Sequence, residues 1–246
     1  MKLLTIFRTL GPADLKNIRR DALLVWAPFL PLIMALSIRL MLPFIADLCR
    51  QRLGFDITPF YPWIMSGFIT LIPCLVGMIV GFLLLDERDE QTLKALLVTP
   101  LPFTGYLLYR ISVPILLGTL STLVCYPLIG LTPLDFWKLG LIGLLASCSA
   151  PQLALFLVSF AENKVAGLAQ LKLLNLILLL PMVAFFLPYP WQLIAGLLPP
   201  YWIVKTFWVA SSGGGFWPWF GVGLFYNLLF IALLARKAQQ IIHQQG

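Results

Sequence analysis

The sequence predicts an all-α polytopic membrane protein with six transmembrane helices, and three observations carry that expectation. Of its 246 residues, 60% are apolar and only 11% are charged, against about 25% charged in an ordinary soluble domain. Mean hydropathy is +0.93. The apolar residues fall in runs of about 20, long enough to cross a ~30 Å hydrocarbon core as helices. A soluble exterior needs charge, so this composition excludes a cytosolic enzyme, a disordered tail and a secreted disulfide scaffold. The net charge of +7 comes from basic residues that mostly flank apolar runs. It therefore points to orientation in the bilayer rather than to nucleic acid.

Residues 1 to 22 carry Lys2, Arg8, Lys16, Arg19 and Arg20 among Leu3, Leu4, Ile6, Phe7, Leu10, Leu15 and Ile18. The pattern predicts an amphipathic helix on the membrane surface, broken at Gly11-Pro12. A plain basic leader that only sets orientation is the competing reading. With no long apolar h-region and no small-residue cleavage site, the stretch is not expected to be a cleaved signal peptide.

The first span is expected over about 23–45, kinked by Pro28, Pro31 and Pro43. A short polar stretch, 47–56, leads to the second span, about 61–85, which opens on the interfacial aromatics Tyr61 and Trp63. Within it, Gly77-Met-Ile-Val-Gly81 has the spacing that lets two helix backbones approach closely. Residues 86–106 are the least membrane-like internal stretch. The third, fourth, fifth and sixth spans follow at about 107–129, 136–160, 168–187 and 216–234. Residues 189–212 are apolar and aromatic, but Pro199-Pro200 cuts them into halves of about ten residues, each only ~15 Å as helix and too short to cross. A re-entrant helical hairpin fits, and a broken seventh span is the alternative.

Charge bias separates the two. With six spans and the N-terminus inside, Lys2, Arg8, Lys16, Arg19, Arg20, Arg88, Lys94, Arg110, Lys164, Lys172, Arg236 and Lys237 lie on the cytoplasmic side. Only Arg50, Arg52, Lys138 and Lys205 lie outside. A seventh span would move Arg236 and Lys237 outside and weaken that bias. The expected topology is thus one transmembrane domain over 1–246 with both termini cytoplasmic and the re-entrant pair on the outer face.

The chemistry of the chain is sparse. Its one histidine is His243, which removes histidine-based triads and zinc-protease motifs. No P-loop pattern occurs, so the chain is not expected to hydrolyse nucleotide itself. Cys49, Cys74, Cys125 and Cys148 are scattered and read as small apolar residues rather than metal ligands. No catalytic or metal site is expected. Arg39 lies about six residues from the outer end of its span, ~9 Å deep by helical rise. It either snorkels to the outer headgroups or lines a polar pathway. Asn175, Asn227, Gln152 and Lys205 are further pathway candidates, with interhelical hydrogen bonding the competing role for the amides.

Four of the ten acids cluster at Asp86, Glu87, Asp89 and Glu90. After them Leu93, Leu96 and Leu97 fall at i, i+3 and i+4, and Pro100 and Pro102 end the run. This predicts a short amphipathic helix with acids at its start, where the helix dipole favours them.

The run Glu87-Arg-x-x-x-Thr92-Leu-x-x-Leu96-Leu-Val-Thr99-Pro100-Leu, followed by Tyr106 and Arg110, resembles the coupling-helix region of ABC-2-type transporter permeases. Gln91 stands where that pattern has glycine. Asp14 to Asp21 with Pro31 and Arg39, and the Pro-Pro-Tyr-Trp segment before the last span, resemble small bacterial members of the same family. The resemblance implies a permease that dimerises, with a second copy or a paralogue, and sits on separate ATPase subunits. ATP and Mg would be bound by those partners and no cofactor by this chain. It implies an exporter in the bacterial inner membrane whose cargo is drug-like or otherwise amphipathic, with lipid or polysaccharide export as the alternative. A non-ATP-driven channel or membrane scaffold is the remaining reading. Asp86, Glu87, Arg88, Asp89, Glu90, Thr92, Leu93, Leu96, Leu97, Thr99 and Pro100 would form the ATPase-coupling interface, the acids meeting basic residues of the motor.

Overall fold

The computed structural model describes residues 3–20, 22–90, 103–188 and 190–244. The described residues are helical in every regular element: α1 (Leu3–Arg20), α2 (Ala22–Trp26), α3 (Leu30–Leu53), α4 (Tyr61–Asp89), α5 (Phe103–Ile129), α6 (Phe136–Ser147), α7 (Ser149–Phe160), α8 (Lys164–Val183), α9 (Gln192–Ala195), α10 (Pro199–Ser211) and α11 (Phe216–Gln244). Six stretches are long and apolar enough to cross a membrane: Leu24–Leu53, Thr58–Asp89, Thr104–Ile129, Phe136–Phe160, Lys164–Phe186 and Phe216–Ile241. The chain is a multi-pass membrane protein.

Burial sorts these spans into two layers. In their most apolar windows Thr58–Asp89 and Phe136–Phe160 are 83% buried, whereas Leu24–Leu53 is 17% and Lys164–Phe186 is 19% buried. The second and fourth spans are therefore the central pair. Their contact is the Gly77/Gly81 stripe. A Cβ at Gly77 would stand 2.5 Å from the Ala150 carbonyl oxygen, and one at Gly81 would stand 2.7 Å from Leu157 Cδ1 and 3.2 Å from Ala154 Cα. Only hydrogen at those positions lets α4 lie this close to α7. The small-residue spacing thus does mark a helix contact.

Several boundaries differ from the sequence reading, each for a local reason. α1 runs unbroken through Gly11-Pro12. Proline removes one backbone hydrogen bond, but Asp14, two residues on, is anchored to α5 by hydrogen bonds, and that contact carries the helix past it. The first span has Pro28 in a 3-10 turn (Ala27–Phe29) and Pro31 in the first turn of α3, where a missing N–H is tolerated. It continues to Leu53, past Asp47 and Arg50, because charge does not end a helix. Gly54, at φ 64°, does. In the following loop Asp56 accepts hydrogen bonds from the Thr58 N–H (3.0 Å) and Thr58 hydroxyl (2.8 Å). The Thr58 backbone bond is the chief reason its carboxyl sits below the usual range.

The fifth span starts at Lys164 rather than near 168, since Asn163 caps it by accepting from the Ala166 N–H at 2.9 Å. α11 passes Arg236 and Lys237 and reaches Gln244. The 189–212 segment is unequal: its first half holds only the four-residue α9, while its second is the 13-residue α10, which buries Tyr201, Ile203, Val204 and Phe207. Pro199 and Pro200 sit at the start of α10, where φ is already suited to proline.

Candidate functional site

At the end of the bundle where α4 stops and α5 begins, a buried ionic node gathers three segments distant in sequence. Arg110 on α5 is 2% exposed and pairs with two carboxylates, Asp14 of α1 and Glu87 of α4. Its guanidinium donates to Asp14 at 2.9 and 3.1 Å and to Glu87. The Tyr106 hydroxyl donates to Glu87 at 2.5 Å, and the Tyr109 hydroxyl donates to Asp14 at 2.8 Å. The Arg110 Nε donates to the Tyr106 oxygen at 3.3 Å. Tyr106, Tyr109 and Arg110 stand at i, i+3 and i+4, on one face of α5. Both rings lie near the cation, at 5.3 and 5.6 Å from centroid to guanidinium carbon. One cation between two carboxylates is a network in which removing any member leaves a buried group unpaired.

The neighbouring charges are also engaged within the chain. Arg88 donates to the carbonyls of Val158 (3.1 Å) and Glu162 (2.7 Å), closing the C-terminal end of α7 as a cation does there. It also pairs with Asp89 at 3.6 Å. Lys164, in the first turn of α8, pairs with Asp86 at 2.9 Å. Asp86, Glu87 and Asp89, which the sequence reading offered to a partner's basic residues, thus each meet a cation of this chain. Glu87 in particular faces inward, with its side chain 13% exposed. Glu90 is exposed at the end of α4. Thr92, Leu93, Leu96, Leu97, Thr99 and Pro100, the expected coupling helix, lie outside the described residues. The node brackets them, with Glu87 before and Tyr106 to Arg110 after.

The pathway candidates are scattered rather than convergent. Arg39 is exposed on α3 and donates to the Leu128 carbonyl at 2.6 Å, so it caps the last turn of α5. It is level with the end of α5, and α3 carries on beyond it. Asn227 on α11 is fully buried. It accepts from the Gln152 amide at 2.9 Å and donates to the Gly223 carbonyl at 2.8 Å, a tie between the fourth and sixth spans. Asn175 falls on α8. Lys205 on α10 donates to the Gln192 side-chain oxygen at 2.8 Å, and partial burial pulls its ammonium below the usual lysine range. Beside the Gln152–Asn227 tie lies a cavity of about 220 Å³, lined by Gln152, Ser149 and Cys74 together with apolar residues such as Phe156, Leu178 and Phe230.

Sequence reasoning assigned no role to Asp14, Tyr106, Tyr109 or Arg110 in a site. The available signal was the i, i+3, i+4 spacing of two tyrosines and an arginine at the mouth of an apolar span. Asp14 carries no such signal, because its partner lies 96 residues away.

A family model described as "Fluoroquinolones export permease protein Rv2686c-like" matches residues 14–235, a stretch that holds the whole node and nearly all of the six spans. The chain belongs to this family. Among curated relatives, "Fluoroquinolones export permease protein Rv2686c" and "Fluoroquinolones export permease protein MT2760", from two strains of Mycobacterium tuberculosis, are each 35% identical to it over 232 residues, covering 92% of this chain and 91% of the relative. No solved structure matches. The matched region begins at Asp14, so it includes the α1 acid of the node.

Proposed function

We propose that this chain is the membrane subunit of an ATP-driven exporter, working as a dimer, with itself or a paralogue, on separate ATPase subunits. It sits in the bacterial inner membrane with both termini cytoplasmic, and it moves an amphipathic drug of the kind its relatives are named for. ATP and Mg belong to the partner ATPase. The observation that carries the reading is the node, in a chain of an export-permease family. Asp14, Glu87 and Arg110 join the surface helix, the end of the second span and the start of the third into one unit around residues 91–102. A segment clamped at both of its roots is suited to pass a push from a cytosolic motor to the central α4–α7 pair as a rigid-body movement.

The coupling surface itself is then Glu90, Thr92, Leu93, Leu96, Leu97, Thr99 and Pro100, with Asp86, Glu87, Arg88 and Asp89 holding its base. Arg39 supports the end of α5, Asn227 reaches the cavity wall through its bond to Gln152, and Asn175 is kept as a pathway residue on α8. Purification in mild detergent with the ATPase co-expressed tests the reading. The expected result is a stable complex whose ATP hydrolysis rises with a fluoroquinolone, and loss of that complex on Leu96→Asp. Drug efflux by cells lacking every candidate ATPase would refute it.

A further inference from the structure

The 220 Å³ cavity beside the Gln152–Asn227 tie is walled by α4, α7, α8, α11 and the start of α10. Its polar lining groups are bonded among themselves or to backbone. Gln152 donates to Asn227 at 2.9 Å, the Ser149 hydroxyl to the Ala146 carbonyl at 2.6 Å, and the Cys74 thiol to Ser149 at 3.7 Å. Such a space offers water little to bond and offers hydrocarbon a full set of contacts; an apolar cavity of about 150 Å³ already holds benzene. Its depth is fixed by α11. Asn227 donates to the Pro199 carbonyl at 3.4 Å, so the Pro199 end of the cavity is level with Asn227. Phe230 and Leu234 line it further along. Lys237 comes one turn after Leu234 on the same face, since Phe230, Leu234 and Lys237 stand at i, i+4 and i+7. Ala235 and Ala238 pack in the cluster that holds Tyr106, which puts Lys237 at the node end of the bundle. From Asn227 to Lys237 the helix rises about 15 Å, half of a ~30 Å hydrocarbon core. The cavity thus runs from mid-bilayer to within a turn of the headgroups on the node side. Leu173 and Leu176 on α8 and Leu229 and Leu233 on α11 are exposed, so both flanking helices face lipid. Lys237 is exposed and has no ion pair among the described residues. No Asp or Glu occurs in α7, α8, α10 or α11.

We infer that this cavity holds one acyl chain of a resident anionic phospholipid from the node-side leaflet, with the lipid phosphate at Lys237. A chain entering from that leaflet fills space that would otherwise leave the lining without contacts. A lysine at headgroup level, on a helix with no acid, favours a negatively charged headgroup. The spacing from Pro199 to Lys237 matches one leaflet, which selects a phospholipid over a smaller apolar guest. Arg236 stands about 100° round the helix from Lys237, off the face that lines the cavity, so Lys237 is the phosphate partner. Cys74 and Leu153 belong to the central α4–α7 pair, so the lipid is a part of that packing and not a molecule in transit. The site does not rest on the export reading, since it uses no residue of the node and no ATPase.

The full-length chain in phosphatidylcholine nanodiscs tests it. A small fraction of phosphatidylglycerol or of phosphatidylcholine carrying a diazirine in mid-chain is added, the sample is irradiated, and adducts are located by peptide mass spectrometry. The expected result is saturable labelling of Leu174, Leu178 and Phe230, stronger with phosphatidylglycerol, against weak and unsaturable labelling of the lipid-facing Leu173 and Leu229. Lys237→Gln should lower the preference for phosphatidylglycerol about fivefold, the worth of one basic residue at a membrane surface, while Arg236→Gln should lower it less. Leu178→Trp, which fills the cavity, should remove the saturable labelling at Phe230. Equal labelling of cavity and lipid-facing leucines by both lipids overturns the site in the wild-type chain alone. Cavity positions left unlabelled, as they would be with a second copy or a cargo molecule in that space, overturn it too. So do unchanged labelling in a folded Leu178→Trp chain and an unchanged lipid preference in Lys237→Gln.

Discussion

Arg110 is the residue whose loss should be felt most. Asp14 and Glu87 have side chains only 14% and 13% exposed, so Arg110→Met leaves two carboxylates buried with no cation. The expected destabilisation is about 3–5 kcal/mol, read as a fall in the apparent Tm of the detergent-solubilised chain. Neutralising all three members together, by Asp14→Asn, Glu87→Gln and Arg110→Met, should recover most of that loss. If the triple variant is worse than the single one, the node is not the closed network drawn here. Asn227→Leu breaks the tie to Gln152 and should cost about 0.6–1.7 kcal/mol, the range of hydrogen bonds between membrane helices. The amide pair was legible in sequence as two buried amides. Their pairing was not, since 75 residues separate them.

Among the elements, the α4–α7 contact is the one a single methyl can test. With the Ala150 carbonyl 2.5 Å from where a Gly77 Cβ would stand, backbone must move. Gly77→Ala should therefore destabilise by about 1–3 kcal/mol, measured as thermal unfolding of the purified chain. Gly140→Ala, at a glycine whose Cβ would meet nothing within 4 Å, is the control and should be near neutral. The spans themselves were read correctly from apolar runs because hydrocarbon thickness fixes their length. Two of their ends were not, because Gly54 and Asn163 set them through local backbone chemistry that hydropathy does not register. The break expected at Pro12 fails for the opposite reason: a tertiary contact overrides a local signal.

For the molecule as a whole, the node and the turn at 211–215 occupy opposite ends of the bundle, and α4 spans the distance from Pro62 to Glu87. Topology should show the same division. In a Cys49→Ser background, Gly213→Cys should react with a membrane-impermeant maleimide in intact cells, and Gln240→Cys only after lysis. The reverse pattern would invert the charge-bias reading. Coupling belongs to this scale too. Arg110→Met in a chain that still reaches the membrane should leave ATPase docking in place while lowering drug-stimulated hydrolysis, if the proposed coupling surface around Leu93, Leu96 and Leu97 does the docking, because those leucines are untouched.

By itself the sequence determined the class of the molecule, the number of its spans, the acidic cluster at residues 86–90 and the lack of a P-loop pattern. All of these follow from composition and from patterns a few residues long. Only the tertiary structure decided what those acids do. Burial requires Glu87 to find a cation, at Arg110, while the more exposed Asp86 and Asp89 meet Lys164 and Arg88. For Asp86 and Glu87 the cation comes from another helix.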